Sequence, residues 1–307
     1  MALSLRKNKD RGSVGLDIDG RYVAAVQAES GRLTSVASSE LPEGVVSDGE
    51  VVDPAALADH LKRFVSEAHL PKRIRLGVAN QQIVVRVVEL PQIEDAVERA
   101  AAVRFQAAET IAMPLDEAVL DHQVVGYART DEGVARMQVL LVAARTSMVE
   151  ALVTAVKEAG LKPECVDLDA FALVRMLADP SSDEDSARVF CHLGSVTNLA
   201  IAVGDTCFFT RPLSMSWDAE GSASDLADEI RLSIDYYMAQ PSARQVAEVV
   251  LSGPGSLEAA FVSELGEHIG LATRVAEPLG RLDTSAVEID DPLRYTVAAG
   301  LAVGAPA

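Results

Sequence analysis

The chain is poor in several things, and each scarcity excludes a class of protein. Its 307 residues include three cysteines, Cys165, Cys191 and Cys207, none in a CxxC pair and each set in an apolar run. This fits buried free thiols in a reducing compartment, and sets aside zinc and disulfide frameworks. Basic residues are also scarce: 27 Lys and Arg against 46 Asp and Glu leave a net charge of −19. Such a surface repels nucleic-acid backbones and anionic lipid, so neither is expected as a partner. No run approaches the ~20 apolar residues that span a bilayer, and the N-terminus lacks the apolar core of a signal peptide, so no direct membrane insertion and a cytosolic location are expected. The one basic cluster, Arg6, Lys7, Lys9 and Arg11, reads as a tail.

What is abundant is apolar sequence. A hydrophobic content of 49% in a chain of this length can bury roughly three quarters of its unfolded surface. The length exceeds one typical domain and predicts two lobes.

Two β-type runs from Val14 to Val26 are joined at Asp19-Gly20, a short-range hairpin signal, and Leu33 to Ser39 adds a strand. Asp53-Pro54 supplies an N-cap and a proline at the first helical position, with Leu57, Leu61, Phe64, Val65 and Ala68 on one face of the helix that follows. Strands at Ile74–Ala79 and Ile83–Leu90 precede a helix at Glu94–Ala108, whose predicted apolar face is Val97, Ala100, Ala101, Phe105 and Ala108. Paired strands at Val119–Val125 and Met137–Ala144 flank a turn at Thr130–Gly133. A helix at Ser147–Ala159 then ends at Gly160.

The polar stretch Asp179–Ser186 is the best linker candidate. Beyond it the opening repeats: Val189 to Ile201 is again strand, Gly-Ser turn, strand, and a shift of 175 positions lays Asp17 on His192 and Gly20 on Ser195. One such match is weak evidence of duplication by itself. Strand Cys207–Leu213, helix Asp225–Gln240, strand Glu248–Ser252 running into a glycine turn and a helix through Leu257, Phe261 and Leu265, and a last helix Pro292–Val303 complete an α/β pattern.

Two hairpin turns facing each other across two lobes can hold a polyphosphate on their backbone N–H groups. The candidates are Asp17–Arg21 and Gly194–Asn198, with Asp17 as a carboxylate for Mg²⁺. Gly253 and Gly255 in Ser252-Gly-Pro-Gly-Ser256 remove the Cβ atoms that keep a flat base away from the backbone. Alone, each of these is more often an ordinary turn.

The chain resembles the PilM family of type IV pilus assembly proteins from about Val14 to Val303. The resemblance rests on Glu89-Leu-Pro-Gln-Ile-Glu with Met113-Pro-Leu-Asp-Glu-Ala-Val-Leu-Asp121, on Val142-Ala-Ala-Arg145 with Ala159-Gly-Leu-Lys-Pro163, and on Val166-Asp-Leu-Asp-Ala-Phe-Ala-Leu173. Supporting matches are Thr197-Asn-Leu-Ala200, Phe209-Thr-Arg211, Glu229-Ile-Arg231 and Tyr295-Thr-Val-Ala-Ala-Gly-Leu301. It implies an α/β, actin-like (ribonuclease H-like, FtsA-like) ATPase fold, with two lobes opened by strand hairpins and a subdomain inserted in lobe 1. The expected division is 12–80 plus 166–180 for the lobe 1 core, 81–165 for the insert, and 187–303 for lobe 2 including the terminal helix.

The resemblance further implies ATP or ADP with Mg²⁺ between the lobes. The residues placed there are Asp17 (also the metal candidate), Asp19, Gly20, Arg21, Gly194, Ser195, Thr197, Asn198, Glu229, Gly253, Gly255 and Ser256. Its implied partner is the N-terminal tail of a PilN-like membrane protein, held in a groove beside the insert at the inner face of the membrane. Contacts with pilus motor ATPases and self-association are further expectations.

Three departures from the family pattern bear on the cleft. Asp19-Gly20 stands where the family has Gly-Ser, bringing a second negative charge towards a phosphate. His192 replaces a carboxylate of the second hairpin, which weakens the case for hydrolysis more than for binding. Leu213-Ser-Met-Ser-Trp-Asp218 replaces an expected glycine pair, and its bulk narrows the cleft.

His192 has no nucleophile with a carboxylate orienter near it in sequence and reads as a neutral cleft-lining histidine; Asp167, Asp169, Glu94 and Asp95 read as caps and surface charges. The competing readings are a sugar or acetate kinase or polyphosphate-hydrolysing enzyme of the same superfamily, which His192 argues against, and an FtsA-like filament former, which would need an amphipathic helix after Gly304. The cytoplasmic half of a type II secretion protein is a variant of the scaffold reading.

Overall fold

The structure, a computed structural model, describes residues 13–129, 133–179, 185–219, 221–240 and 243–304. The Arg6–Arg11 cluster, Thr130–Glu132 of the predicted turn, the centre of the Asp179–Ser186 segment, Pro241 and Ala305–Ala307 lie outside them.

Strands β1 (Ser13–Ile18), β2 (Tyr22–Glu29) and β3 (Arg32–Glu40) form an antiparallel meander. A two-residue pair, β4 (Val46–Ser47) and β5 (Glu50–Val51), leads into α1 (Pro54–Glu67). There the Asp53 side chain accepts from Ala56 N at 2.9 Å, so the predicted cap is the observed one. β6 (Arg73–Val78) and β10 (Lys162–Leu168) then extend the sheet in parallel, giving the order β10-β6-β1-β2-β3.

Between β6 and β10 lies the insert. β7 (Val84–Pro91), β8 (Ala118–Arg129) and β9 (Ala135–Arg145) make a three-stranded antiparallel sheet of order β7-β9-β8. Helix α2 (Ala96–Thr110) covers it, capped by Asp95, which accepts from Val97 N and Glu98 N. The predicted face of α2 is wrong. Val97 and Phe105 are 78% and 69% exposed, while Val103 and Ala107 are buried with Ile111 against Val88, Leu90, Met137 and Val139. An alanine-rich helix offers two apolar stripes, and shape fit to the sheet selects the slimmer one. Helix α3 (Thr146–Glu158) ends at Gly160, φ 81° as predicted, and packs with α1 on one face of the first lobe's sheet.

After α4 (Asp169–Leu177), the second lobe repeats the first. β11 (Ser186–Leu193), β12 (Thr197–Val203) and β13 (Thr206–Leu213) form the meander, and β14 (Gln245–Ser252) and β15 (Ala272–Val275) add in parallel, order β13-β12-β11-β14-β15. The duplication suspected from one hairpin therefore extends over five strands. α5 (Ser222–Met238), which starts three residues before the predicted Asp225, and α6 (Ala259–Ile269) cover one face. The glycine turn opens a 3₁₀ turn, Pro254–Leu257, rather than α6 directly, and Leu257 is exposed; Pro254 takes the first position of that turn, where its fixed φ suits a helical start and its missing N–H is not needed. The last predicted helix splits likewise into a 3₁₀ turn (Pro292–Tyr295) and α7 (Thr296–Val303).

The remaining sheet faces are covered crosswise. α4 packs through Ala170, Leu173 and Val174 on Phe190, Ala200 and Val250 of the second sheet. α7, contiguous with the second lobe in sequence, packs through Ala298, Ala299 and Ala302 on Tyr22, Ala24 and Val26 of the first. The two helices meet so closely that a Cβ on Gly300 would overlap the Ala172 carbonyl, which only glycine permits. This crossing brings the β1–β2 and β11–β12 turns face to face.

Candidate functional site

The β1–β2 turn closes with Asp19 N–H donating to the Tyr22 carbonyl at 3.0 Å. Gly20 sits at φ 110°, and a Cβ there would lie 2.8 Å from Ser195 Oγ; both facts require glycine. Across the cleft, Ser195 N–H donates to Asp19 Oδ2 at 2.8 Å, and the Ser195 hydroxyl donates to the Asp19 carbonyl. Arg21 N–H points at the other carboxylate oxygen, 3.4 Å away. Arg21 itself reaches across the lobes: its guanidinium donates to both oxygens of Asp218, at 2.7 and 3.0 Å, and to Ser216 Oγ at 2.8 Å. Arg21 and Ser216 together hold the Asp218 carboxyl down at about 2.

Behind the turns, Asp17, Asp19, Gly77, Asp169, His192 and Asn198 line a cavity of about 30 Å³, room for about two waters. Asp17 Oδ2, Asp169 Oδ1, both His192 ring nitrogens and both Asn198 amide atoms find no partner among the described residues. Burial, then the charge of Asp169 and of Asp19, pushes the Asp17 carboxyl well above the usual range. Burial, then Asp167 and Asp19, pushes Asp169 up to about 8. Burial alone lowers His192 to about 4, so it is neutral near pH 7, as its sequence setting suggested.

Asp167 and Asp169 are not surface charges, contrary to expectation. Asp167 pairs with Arg175 at 2.8 Å, both largely buried, and Asp169 starts α4 facing the cavity beside Gly77, where a Cβ would strike it. Sequence reasoning missed Asp169 because an acid in the first turn of a helix is an ordinary surface feature. The signal available was Gly77, whose missing side chain makes its room.

Asp17, Asp19, Gly20, Arg21, Gly194, Ser195 and Asn198 thus come together. Thr197 is adjacent, with its hydroxyl donating to the Met215 carbonyl at 3.0 Å. Gly253 (φ 84°), Gly255 and Ser256 form the third turn, tied to α7 by Ser252 Oγ donating to Thr296 Oγ1 at 2.6 Å. Glu229 does not join them; on α5 it pairs with Arg211 at 2.7 Å, beside Ser233.

A nucleotide does not fit this closed arrangement. The Asp19 carboxylate lies on the N–H groups a phosphate would use, and the Trp217 ring lies on Gly255, where a Cβ would come 2.6 Å from Cγ. Asp17, with one carboxylate oxygen unpartnered among the described residues, suits a hydrated Mg²⁺ by donor type.

Comparison with known proteins matches residues 15–215 to the family described as type IV pilus assembly protein PilM. Among solved structures, the chain resembles one titled PilM-PilN type IV pilus biogenesis complex, at TM-score 0.84 and 23% identity over 97% of this chain and 100% of that one. It also resembles the cytoplasmic domain of EpsL, an inner membrane component of the type II secretion system of Vibrio cholerae (TM-score 0.52, 11% identity, 95% of each chain). A third is MreB 5 of Spiroplasma citri bound to AMPPNP (TM-score 0.50, 10% identity, 96% of each chain). These likenesses establish the actin-like fold.

Proposed function

Because the chain belongs to the PilM family of type IV pilus assembly proteins, we propose that it is a scaffold of the pilus assembly machine that grips the N-terminal tail of a PilN-like membrane protein. It works at the inner face of the membrane through that partner. Among the described residues no helix is long and apolar enough to cross a membrane, so a membrane-bound partner supplies the attachment in this reading.

The observation that carries the proposal is a groove beside the insert, on its α4 side. A cavity of about 320 Å³ opens between Gln123, Val125 and Leu140 of the insert sheet, Phe171 and Val174 of α4, and Asp205 of the β12–β13 turn with Thr206 and Cys207 at the start of β13. Its lining mixes apolar side chains, Val125, Leu140, Phe171 and Val174, with polar ones, Gln123, Arg175, Asp205 and Arg281, a composition that suits a short extended segment presenting apolar and polar side chains in alternation. Its floor is α4, one of the two crossing helices, so an occupant touches the element that joins the lobes. The gripped partner is therefore in contact with both lobes at once, as a relay to motor ATPases or to further copies of the chain would require.

Adenine nucleotide with Mg²⁺ at Asp17 would require the lobes to part, and the scaffold role does not depend on it. A kinase or polyphosphate hydrolase is not favoured: among the described residues the cavity beside Asp17 is only about 30 Å³, and His192 is buried and neutral.

Calorimetric titration with a synthetic peptide of the PilN-like tail tests the proposal. Binding is expected with or without ATP and Mg²⁺, and Phe171→Asp should weaken it by about tenfold or more. Absence of peptide binding together with rapid ATP turnover on a small acceptor would sink the scaffold reading.

A further inference from the structure

We propose that the cleft is latched from within, the Asp19 carboxylate and the Trp217 ring standing where the phosphate and base of a nucleotide would be held, so that nucleotide enters only by displacing the protein's own side chains. This rests on reading the cleft as the nucleotide cleft of the fold. It is independent of the tail groove.

The backbone donors come first. In a twin-hairpin cleft the turn N–H groups of both lobes converge on one anion. Here they converge on a carboxylate of the chain: Ser195 N–H at 2.8 Å from the second lobe and Arg21 N–H at 3.4 Å from the first. The fit is close, since Gly194 has no side chain where Asp19 Oδ2 lies. The first lobe thus supplies an anion to the second lobe's turn, and the Ser195 hydroxyl returns a bond to the Asp19 carbonyl.

The base side is filled by the segment that also anchors the latch. Trp217 covers Gly255 of the glycine turn and meets Phe261 edge-on, ring centroids 6.2 Å apart. Its neighbours Ser216 and Asp218 both bind the Arg21 guanidinium. Three consecutive residues therefore close the cleft, the middle one over the base position and the outer two on the first lobe. An incoming phosphate meets like charge at Asp19, and an incoming base meets an aromatic ring already in place.

The chain contains one tryptophan, so its fluorescence reports this position alone. The test titrates full-length wild type, Asp19→Ser and Asp19→Asn with Mg-ATP, reading a fluorescent ATP analogue and Trp217 emission in parallel. Circular dichroism and tail-peptide binding serve as controls for folding. Asp19→Ser should bind ATP at least about tenfold tighter than wild type, with a change in Trp217 emission on binding, and Asp19→Asn should fall between. Wild type binding as tightly as Asp19→Ser, or Trp217 emission indifferent to bound nucleotide, overturns the latch. Failure of folded Asp19→Ser to bind any adenine nucleotide also overturns it, and if the tail peptide still binds, the scaffold reading stands.

Discussion

The two lobes share one strand order and differ in what they place at equivalent positions. Under the shift of 175 residues Asp17 corresponds to His192 and Gly15 to Phe190. The first pair gives one wall of the cavity an acid whose carboxyl is raised and the other an imidazole held neutral. The second sets how a crossing helix approaches. α7 comes so close to β1 that a Cβ on Gly15 would lie 2.5 Å from Ala302 N, whereas α4 rests on the fully buried ring of Phe190. A duplicated topology therefore tolerates opposite choices of size and charge, provided each lobe is complementary to what crosses onto it.

Exchanging those choices should have the largest effect. Gly15→Phe should abolish cooperative folding, since α7 has no room to withdraw, and Phe190→Ala should cost about 3–5 kcal/mol in urea unfolding. Equal, small losses in both variants would show that the helices adjust and that the asymmetry is superficial.

Acid titration comes next. Histidine protonates near 6.5 when unfolded but only near 4 at His192, so between these values the unfolded state holds the extra proton. Stability should fall by about 3 kcal/mol as pH drops through this window, and His192→Gln should flatten the fall. Asp169 has the opposite sign: its raised carboxyl favours the fold at low pH, and that contribution is lost as pH rises through about 8. Asp169→Asn should flatten that second decline, measured by urea midpoints at each pH.

A smaller effect is expected at the facing turns. Gly194→Val puts a side chain where Asp19 Oδ2 sits and should cost about 2 kcal/mol, reduced when combined with Asp19→Ser. Arg21→Ala should be the mildest, about 0.2–1 kcal/mol, because Arg21 and Asp218 are each nearly half exposed. Additivity of Arg21→Ala with Gly194→Val would show that the two ties across the cleft act independently.

Legibility in the sequence followed the range of the interactions. The Asp19-Gly20 hairpin, the Asp53-Pro54 start of α1 and the Gly160 stop of α3 depend on neighbours a few residues away, and their patterns predicted them. The strand β15 went unread, because four residues of which none is buried carry no apolar periodicity. The facing of α2 depends on sheet residues some thirty positions downstream and was misread. At the site, the turns and their glycines were legible, as was the narrowing by Ser214–Asp218. The burial of Asp169 and the destination of Glu229 were not, since both are decided by how α4 and α5 settle on strands from elsewhere in the chain.

The crossing of α7 onto the first sheet also sets an order of assembly during synthesis. One face of that sheet can be covered by α1 and α3 as soon as they emerge, but Tyr22, Ala24, Val26 and Leu33 on the other face wait for Ala298, Ala299 and Ala302. The part of the protein made first is therefore the last to be sealed, and until residues 296–303 leave the ribosome a nascent chain presents an apolar sheet face to whatever chaperone meets it.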